Sequence, residues 1–294
     1  MQKYSYFYCI LAIFIFSTNE LVGKFIDSAV SPLAITCYRF FIGSLLLSCI
    51  YFRKHIFLLN KTRTIDIAKI SLIGILIGFS MYLLQLGVYY SQASFSAIII
   101  STNPIFVSIL AVFILKEKLS TRTILCLLFG LMGLSLVIFG QTQQFETSEN
   151  LFLGIIYCIL ASITFALYTV LSKNEIKKTN NFFFNAISFL SGAVGLFIFG
   201  LLTKQDMSIP LQINHLLGLI YLGVFVTGIA YITFFHGLKH IKAAYGSSFF
   251  LLKPIFASIM AYFLLKEQLV VIQIIGVGIV IISLLLQHTS TSSS

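Results

Sequence analysis

The chain has 294 residues, of which 59% are hydrophobic and 10% charged, with a formal charge of +10 and a mean hydropathy of +1.01. A soluble domain of that length needs far more polar surface, so a water-soluble enzyme or binding module is excluded and a polytopic membrane protein is expected. The basic balance does not point to nucleic acid, because the bases fall in short segments between apolar runs, where they suit an anionic lipid leaflet.

A membrane-spanning helix needs about 20 mostly apolar residues. Splitting the chain at its charged and polar clusters predicts ten spans: 4–26, 32–52, 68–90, 93–115, 121–140, 151–172, 181–203, 214–238, 242–265 and 268–288. The first follows Lys3 and superficially resembles a signal peptide. No small-residue cleavage site follows and the apolar stretch continues to Ile26, so it reads as a span. Only Gln92 and its neighbours separate the third span from the fourth. The hydrophilic segment 141–150 links residues 1–140 to residues 151–288, and 289–294 form a polar tail. Cys9, Cys37, Cys49, Cys126 and Cys158 all lie inside apolar runs without CxxC spacing, which indicates small core residues, not a disulfide frame or a metal site.

The segment from Asn103 to Ser120 recurs from Lys253 to Val270, with identity at 11 of 18 positions. The chain therefore reads as a duplication of a unit of about 145 residues, and in a membrane protein a duplicated half points to a transporter. Loop charge sets the orientation. With the N-terminus inside, fourteen bases fall in cytoplasmic segments and three, Lys24, Lys204 and Lys266, fall outside, so both termini are expected in the cytoplasm. Five spans per half is an odd number, so the second half must enter the membrane inverted. The charges agree: the basic segment Lys116-Glu117-Lys118 lies inside, and its copy, Lys266-Glu267-Gln268, carries one base and lies outside. The expected fold class is all-α, with ten transmembrane helices in two inverted five-helix repeats.

Pro104 to Leu119 and Pro254 to Leu269, each with its Lys-Glu pair, carry a resemblance to a known family. They are joined by Tyr38-Arg39-Phe40 and by the glycines at 130, 133, 276 and 278. Over essentially its whole length the chain resembles the ten-span, EamA-type permeases of the drug/metabolite transporter superfamily. The resemblance implies transport of a small metabolite across the plasma (inner) membrane, with export of amino acids or related compounds as the first expectation and uptake as the alternative. Two departures stand out. The family motif has Gly where this chain has Lys116 and Lys266, and an aromatic-Gly-Ser element where this chain has Phe16-Ser-Thr-Asn-Glu20.

Lys253 is the sharpest single residue. About 11 residues into span nine, it lies ~16 Å deep, near the midplane, and its repeat partner is the neutral Asn103. An ionisable residue at that depth marks a functional site by default, the alternatives being an internal ion pair or snorkelling. Glu20 and Arg39 are both expected ~10 Å from the outer face, which suits either a Glu20–Arg39 pair or a Glu20 that binds an ammonium or a proton. Lys253 and Glu20 together would suit a zwitterion. Asn19, Tyr82, Gln85, Asn103, Tyr168 and Tyr231 lie at similar depth and complete the candidate substrate site, although each has an alternative role in packing. His236 is expected near the cytoplasmic interface, and Glu117 and Glu267 at the membrane borders as caps or loop tethers. Small residues at 93, 97, 101, 104, 108 and 111, repeated at 243, 247, 254, 258 and 261, form a packing seam between the halves.

No phosphate-binding glycine loop, His/Cys metal spacing or Ser-His-Asp set is present, so neither an enzyme nor a cofactor is expected. No ATP-binding domain occurs in the chain. The expected partners are the bilayer, a small-molecule substrate and protons as a coupling ion, in a monomer or homodimer.

Overall fold

Polar residues break spans one and four, and spans eight and nine turn irregular at a π-helical stretch and before a proline; these places position the site. The computed structural model describes residues 2–27, 30–55, 64–90, 96, 99–141, 150–210, 212–256, 259–260 and 271–288. The expected spans map onto helices α1 (Gln2–Phe16) with α2 (Asn19–Asp27), α3 (Pro32–His55), α4 (Thr64–Tyr90), α5 (Asn103–Leu115), α6 (Thr121–Gln141), α7 (Leu151–Lys178) and α8 (Asn181–Thr203). Span eight is α9 (Ile213–Tyr221), a π-helical stretch (Leu222–Ile229) and α10 (Ala230–Leu238). Span nine opens as α11 (Ala243–Ser248) and tightens into a 3-10 turn (Phe249–Leu252). Span ten is α12 (Val271–His288).

Among the described residues, six helices are long and apolar enough to cross a membrane: Tyr4–Gly23, Pro32–Arg53, Asp66–Tyr90, Phe152–Lys178, Asn181–Thr203 and Ile213–Leu238. Three further apolar helices, Asn103–Leu115, Thr121–Leu136 and Ile274–Leu286, are shorter. The chain is thus an all-helical, multi-pass membrane protein. Residues 142–149 of the linker, the tail 289–294, Ala93, Ala97, Ser258, Ala261, Lys266 and Glu267 lie outside the described residues, as do the side chains of Glu20 and Lys24.

The breaks have local causes. In span one, Ser17 Oγ donates to the Ile13 carbonyl at 2.7 Å and Thr18 Oγ1 to the Ile15 carbonyl at 2.8 Å, side-chain bonds that compete with the helical ladder. The helix restarts at Asn19. In span four, a turn at Ser101–Thr102 precedes α5, whose Pro104 sits in the first turn, where its missing N–H costs nothing. Pro254 sets a similar constraint in span nine, and the 3-10 turn lies just before it.

Packing couples early spans to late ones. α3 lies against α8 and the π stretch, α4 against α7 and α8, α1 against α10 and the 3-10 turn, and α5 against α7. α6 packs chiefly against α12. Glycines allow the closest crossings: a Cβ at Gly74 of α4 would collide with the Ser188 carbonyl of α8, and one at Gly133 of α6 would lie 2.7 Å from the Gly276 carbonyl of α12. The two ends of the bundle are tied differently. At one end Ser31 Oγ donates to the Asp206 carbonyl (2.6 Å) and Tyr38 to the Met207 carbonyl (3.1 Å), while Tyr82 and Gln205 share a bond of 3.3 Å. At the other, Glu117 joins Lys173 and the start of α11.

Candidate functional site

The helix breaks converge on one cavity of about 30 Å³, room for about two water molecules. Phe16 and Asn19 reach it from either side of the span-one break, Val226 and Thr227 from the π stretch, and Phe250 and Lys253 from and beyond the 3-10 turn. Ile100 lines it just before the turn of span four. Irregular backbone at membrane depth is tolerated where it is buried in protein or lines a cavity, and π-helical stretches concentrate at functional sites. Half of the lining residues precede residue 140 and half follow residue 151.

The lining is polar on few residues and apolar on the rest. Arg39, brought in by α3, donates from Nη1 to Asn19 Oδ1, so the side chain that restarts the broken span orients the guanidinium. Both are buried, as are Thr227 and Lys253. Tyr231 adds its ring, edge-on to Phe16 at 4.9 Å and to Phe189 at 5.1 Å. Phe165 and Phe250 complete an aromatic wall, edge-on to each other at 5.5 Å. Two cationic groups beside an aromatic surface can hold an anionic group and an apolar body at once.

Of the residues singled out from sequence, Asn19, Arg39, Tyr231 and Lys253 come together at this cavity. Four others do not line it. Tyr82 lies toward the Gln205 end, packed with Leu33, Cys37 and Leu196. Gln85 is buried beside Gly23, and its Nε2 has no hydrogen-bond partner among the described residues. Asn103 is fully buried and donates from Nδ2 to the Ser162 carbonyl at 2.9 Å, a bond between α5 and α7. Tyr168 is one helical turn from the wall: its hydroxyl donates to Asn185 Oδ1 (3.3 Å) and its ring packs against Tyr231 at 6.2 Å. Glu20 sits in α2 with its side chain outside the described residues, so the expected Glu20–Arg39 pair is untested, while Arg39 is found with Asn19. His236 is exposed, edge-on to Tyr8 at 4.8 Å.

The sequence reading did not single out Thr227, Phe165 or Phe250. For Thr227 a signal existed: Gly223 and Gly228 flank it inside an apolar run. A Cβ at Gly43 would lie 2.8 Å from Thr227 Cγ2, so Gly43 lets α3 approach the π stretch.

Comparison with known proteins agrees with this architecture. The model of the EamA-like transporter family matches the chain twice, over residues 3–139 and 152–287. An uncharacterized transporter of Clostridium kluyveri is 31% identical over 100% of this chain and 96% of its own length. An S-adenosylmethionine uptake transporter of Rickettsia prowazekii is 26% identical over 55% of this chain and 52% of its own. A solved crystal structure superposes over 100% of both chains with a TM-score of 0.81 at 16% identity, which shows the fold alone. With a family match that covers nearly the whole chain in two copies, the protein belongs to the EamA-like transporter family.

Proposed function

We propose that the chain is a secondary carrier that exports amino acids or related small metabolites across the plasma (inner) membrane. It works by alternating access between two inverted five-helix repeats, ten spans in all, with both termini in the cytoplasm. The observation that carries this reading is the cavity itself. It lies between the two family-matched segments, draws equally on both, and holds two basic side chains, Arg39 and Lys253, that a substrate carboxylate would meet.

The helix pairing supports the repeat arrangement. Replace each span by the one five places on, and three-with-six becomes eight-with-one, three-with-seven becomes eight-with-two, and four-with-six becomes nine-with-one. Two-with-seven and five-with-ten return to themselves. All of these are observed packings. The discontinuous helices around the cavity fit the general design of carriers with inverted repeats. At about 30 Å³ the cavity has to widen before an amino acid fits. Uptake is the second reading, favoured by the name of the Rickettsia relative.

A metabolite screen in proteoliposomes tests the reading, with wild type beside Lys253→Ala and Glu20→Gln. Wild type is expected to exchange a subset of solutes that the Lys253 variant moves at least tenfold more slowly, a loss of about 1.4 kcal/mol or more. Equal rates in all three proteins would remove the site, and no exchange by wild type would remove the carrier reading. A pH jump in the same vesicles tests proton coupling: a carrier indifferent to the gradient is not proton-coupled.

A further inference from the structure

Two ion pairs among the described residues are of contrasting kinds. Lys178–Glu175 (2.8 Å) lies within one helix, three residues apart, with the lysine largely exposed. Such a pair ties nothing distant together and contributes little. Lys173–Glu117 (2.6 Å) joins residues 56 apart in sequence, and both side chains are nearly buried, at 5% and 12% exposure.

Glu117 does more than pair with Lys173. Its two carboxylate oxygens accept from the Ala243 N–H at 3.1 and 2.9 Å, at the first residue of α11. Lys173 Nζ also donates to the Ile241 carbonyl at 2.6 Å, and Lys242 Nζ to the Lys118 carbonyl at 3.1 Å. Glu117 and Lys118 belong to the first family-matched segment; Lys173, Ile241, Lys242 and Ala243 belong to the second. One carboxylate therefore draws the end of span four, the end of span six and the start of span nine together. Beneath it lies a plug of small apolar side chains, Val107, Ala111, Ala166, Val170 and Ala243. Ten residues of span nine, roughly 15 Å of helix, separate Ala243 from Lys253 at the cavity.

A buried ion pair is a poor device for stability alone, because apolar residues of similar size serve as well or better. It differs from an apolar contact in one respect that matters for a carrier. When the end opens and water enters, both charges are rehydrated, so the open arrangement is not penalised as a bare apolar seam would be. We propose that the Glu117 bridge is a latch that holds this end of the cavity closed, and that its release connects the Lys253 cavity to the side on which Glu117 lies. The latch takes its two-state premise from the carrier reading, yet its test needs no substrate.

The test is sided accessibility. A reporter cysteine replaces Thr227 in a protein whose five native cysteines are changed to serine or alanine. A membrane-impermeant maleimide is then applied to right-side-out and to inside-out vesicles. Glu117→Gln keeps the size and one acceptor but loses the charge; Lys173→Met keeps the stem and loses the donor. Each is expected to speed labelling from the Glu117 side about tenfold and to leave labelling from the opposite side unchanged or slower, as a shift between two states requires. Lys178→Met, which breaks the other pair, is expected to label as the parent does. Parent-like labelling of both latch variants from the Glu117 side overturns the proposal, as does an equal rise from both sides, which reports general loosening. A one-sided rise without exchange of any solute leaves the latch standing and removes the carrier reading; solute exchange with no change in labelling does the reverse.

Discussion

Asn103 and Lys253 occupy the same position in the two copies of one segment, each just before the shared proline, and the fold uses them differently. Asn103 begins α5 and is consumed in packing, its amide donated to the Ser162 carbonyl of the neighbouring helix. Lys253 follows a 3-10 turn and lines the cavity with Arg39, Asn19 and Tyr231. The difference lies in the backbone as much as in the side chain. Span four breaks at Ser101–Thr102, before Asn103, so the asparagine enters a regular helix packed against α7. Span nine tightens over Phe249–Leu252, which carries Phe250 and Lys253 to the cavity. A duplicated scaffold can thus keep one copy for packing between helices and place the other at a cavity.

Substitutions that erase or exaggerate this contrast test it. Lys253→Asn makes the copies alike and is expected to cost the most, at least a tenfold loss of solute exchange in proteoliposomes with size-exclusion behaviour unchanged. Arg39→Met is expected to come next. It removes the cation and the bond to Asn19 that joins α3 to the start of α2, so exchange falls and the melting temperature falls with it, by about 1–3 kcal/mol of stability in a thermal-shift assay. Asn103→Ala should do the opposite of Lys253→Asn. The lost bond to Ser162 costs about 1 kcal/mol of stability, with exchange close to wild type. A fall in exchange without a fall in stability would move Asn103 into the site. The smallest effect expected is at Lys116, which ends α5 with φ +54°, a left-handed conformation that favours glycine. Lys116→Gly is expected to raise stability by up to about 1 kcal/mol, read as a small rise in melting temperature.

Much of this was legible in the sequence. Apolar runs of spanning length located the long helices, because a bilayer admits few alternatives. The repeated Pro-Ile-Phe segment and the lysine expected near the midplane pointed to the seam where the cavity lies. Asn19, Arg39, Tyr231 and Lys253 line that cavity, although depth had set Arg39 beside Glu20 and apart from Lys253. Depth did not reveal direction around the helix. Tyr82 lies toward one end of the bundle and Gln85, Asn103 and Tyr168 face other helices, and a near-uniformly apolar span offers little periodicity by which to tell the faces apart. The breaks were harder still. Ser17 and Thr18 reveal theirs only when their hydroxyls are seen to bond back to the preceding turn, and nothing in Leu222–Ile229 beyond its two glycines signals a π stretch. Glu117 was expected to cap a helix or tether a loop at the membrane border; it accepts from the first N–H of α11 and pairs with Lys173.

The central claim, that the cavity at Lys253 is where the substrate binds, is tested most directly by exchange of a metabolite mixture across proteoliposomes that contain either wild type or Lys253→Asn. The account predicts that wild type exchanges some solutes and that the variant, folded and reconstituted to the same density, exchanges them at least tenfold more slowly. Equal rates from the two proteins would contradict it.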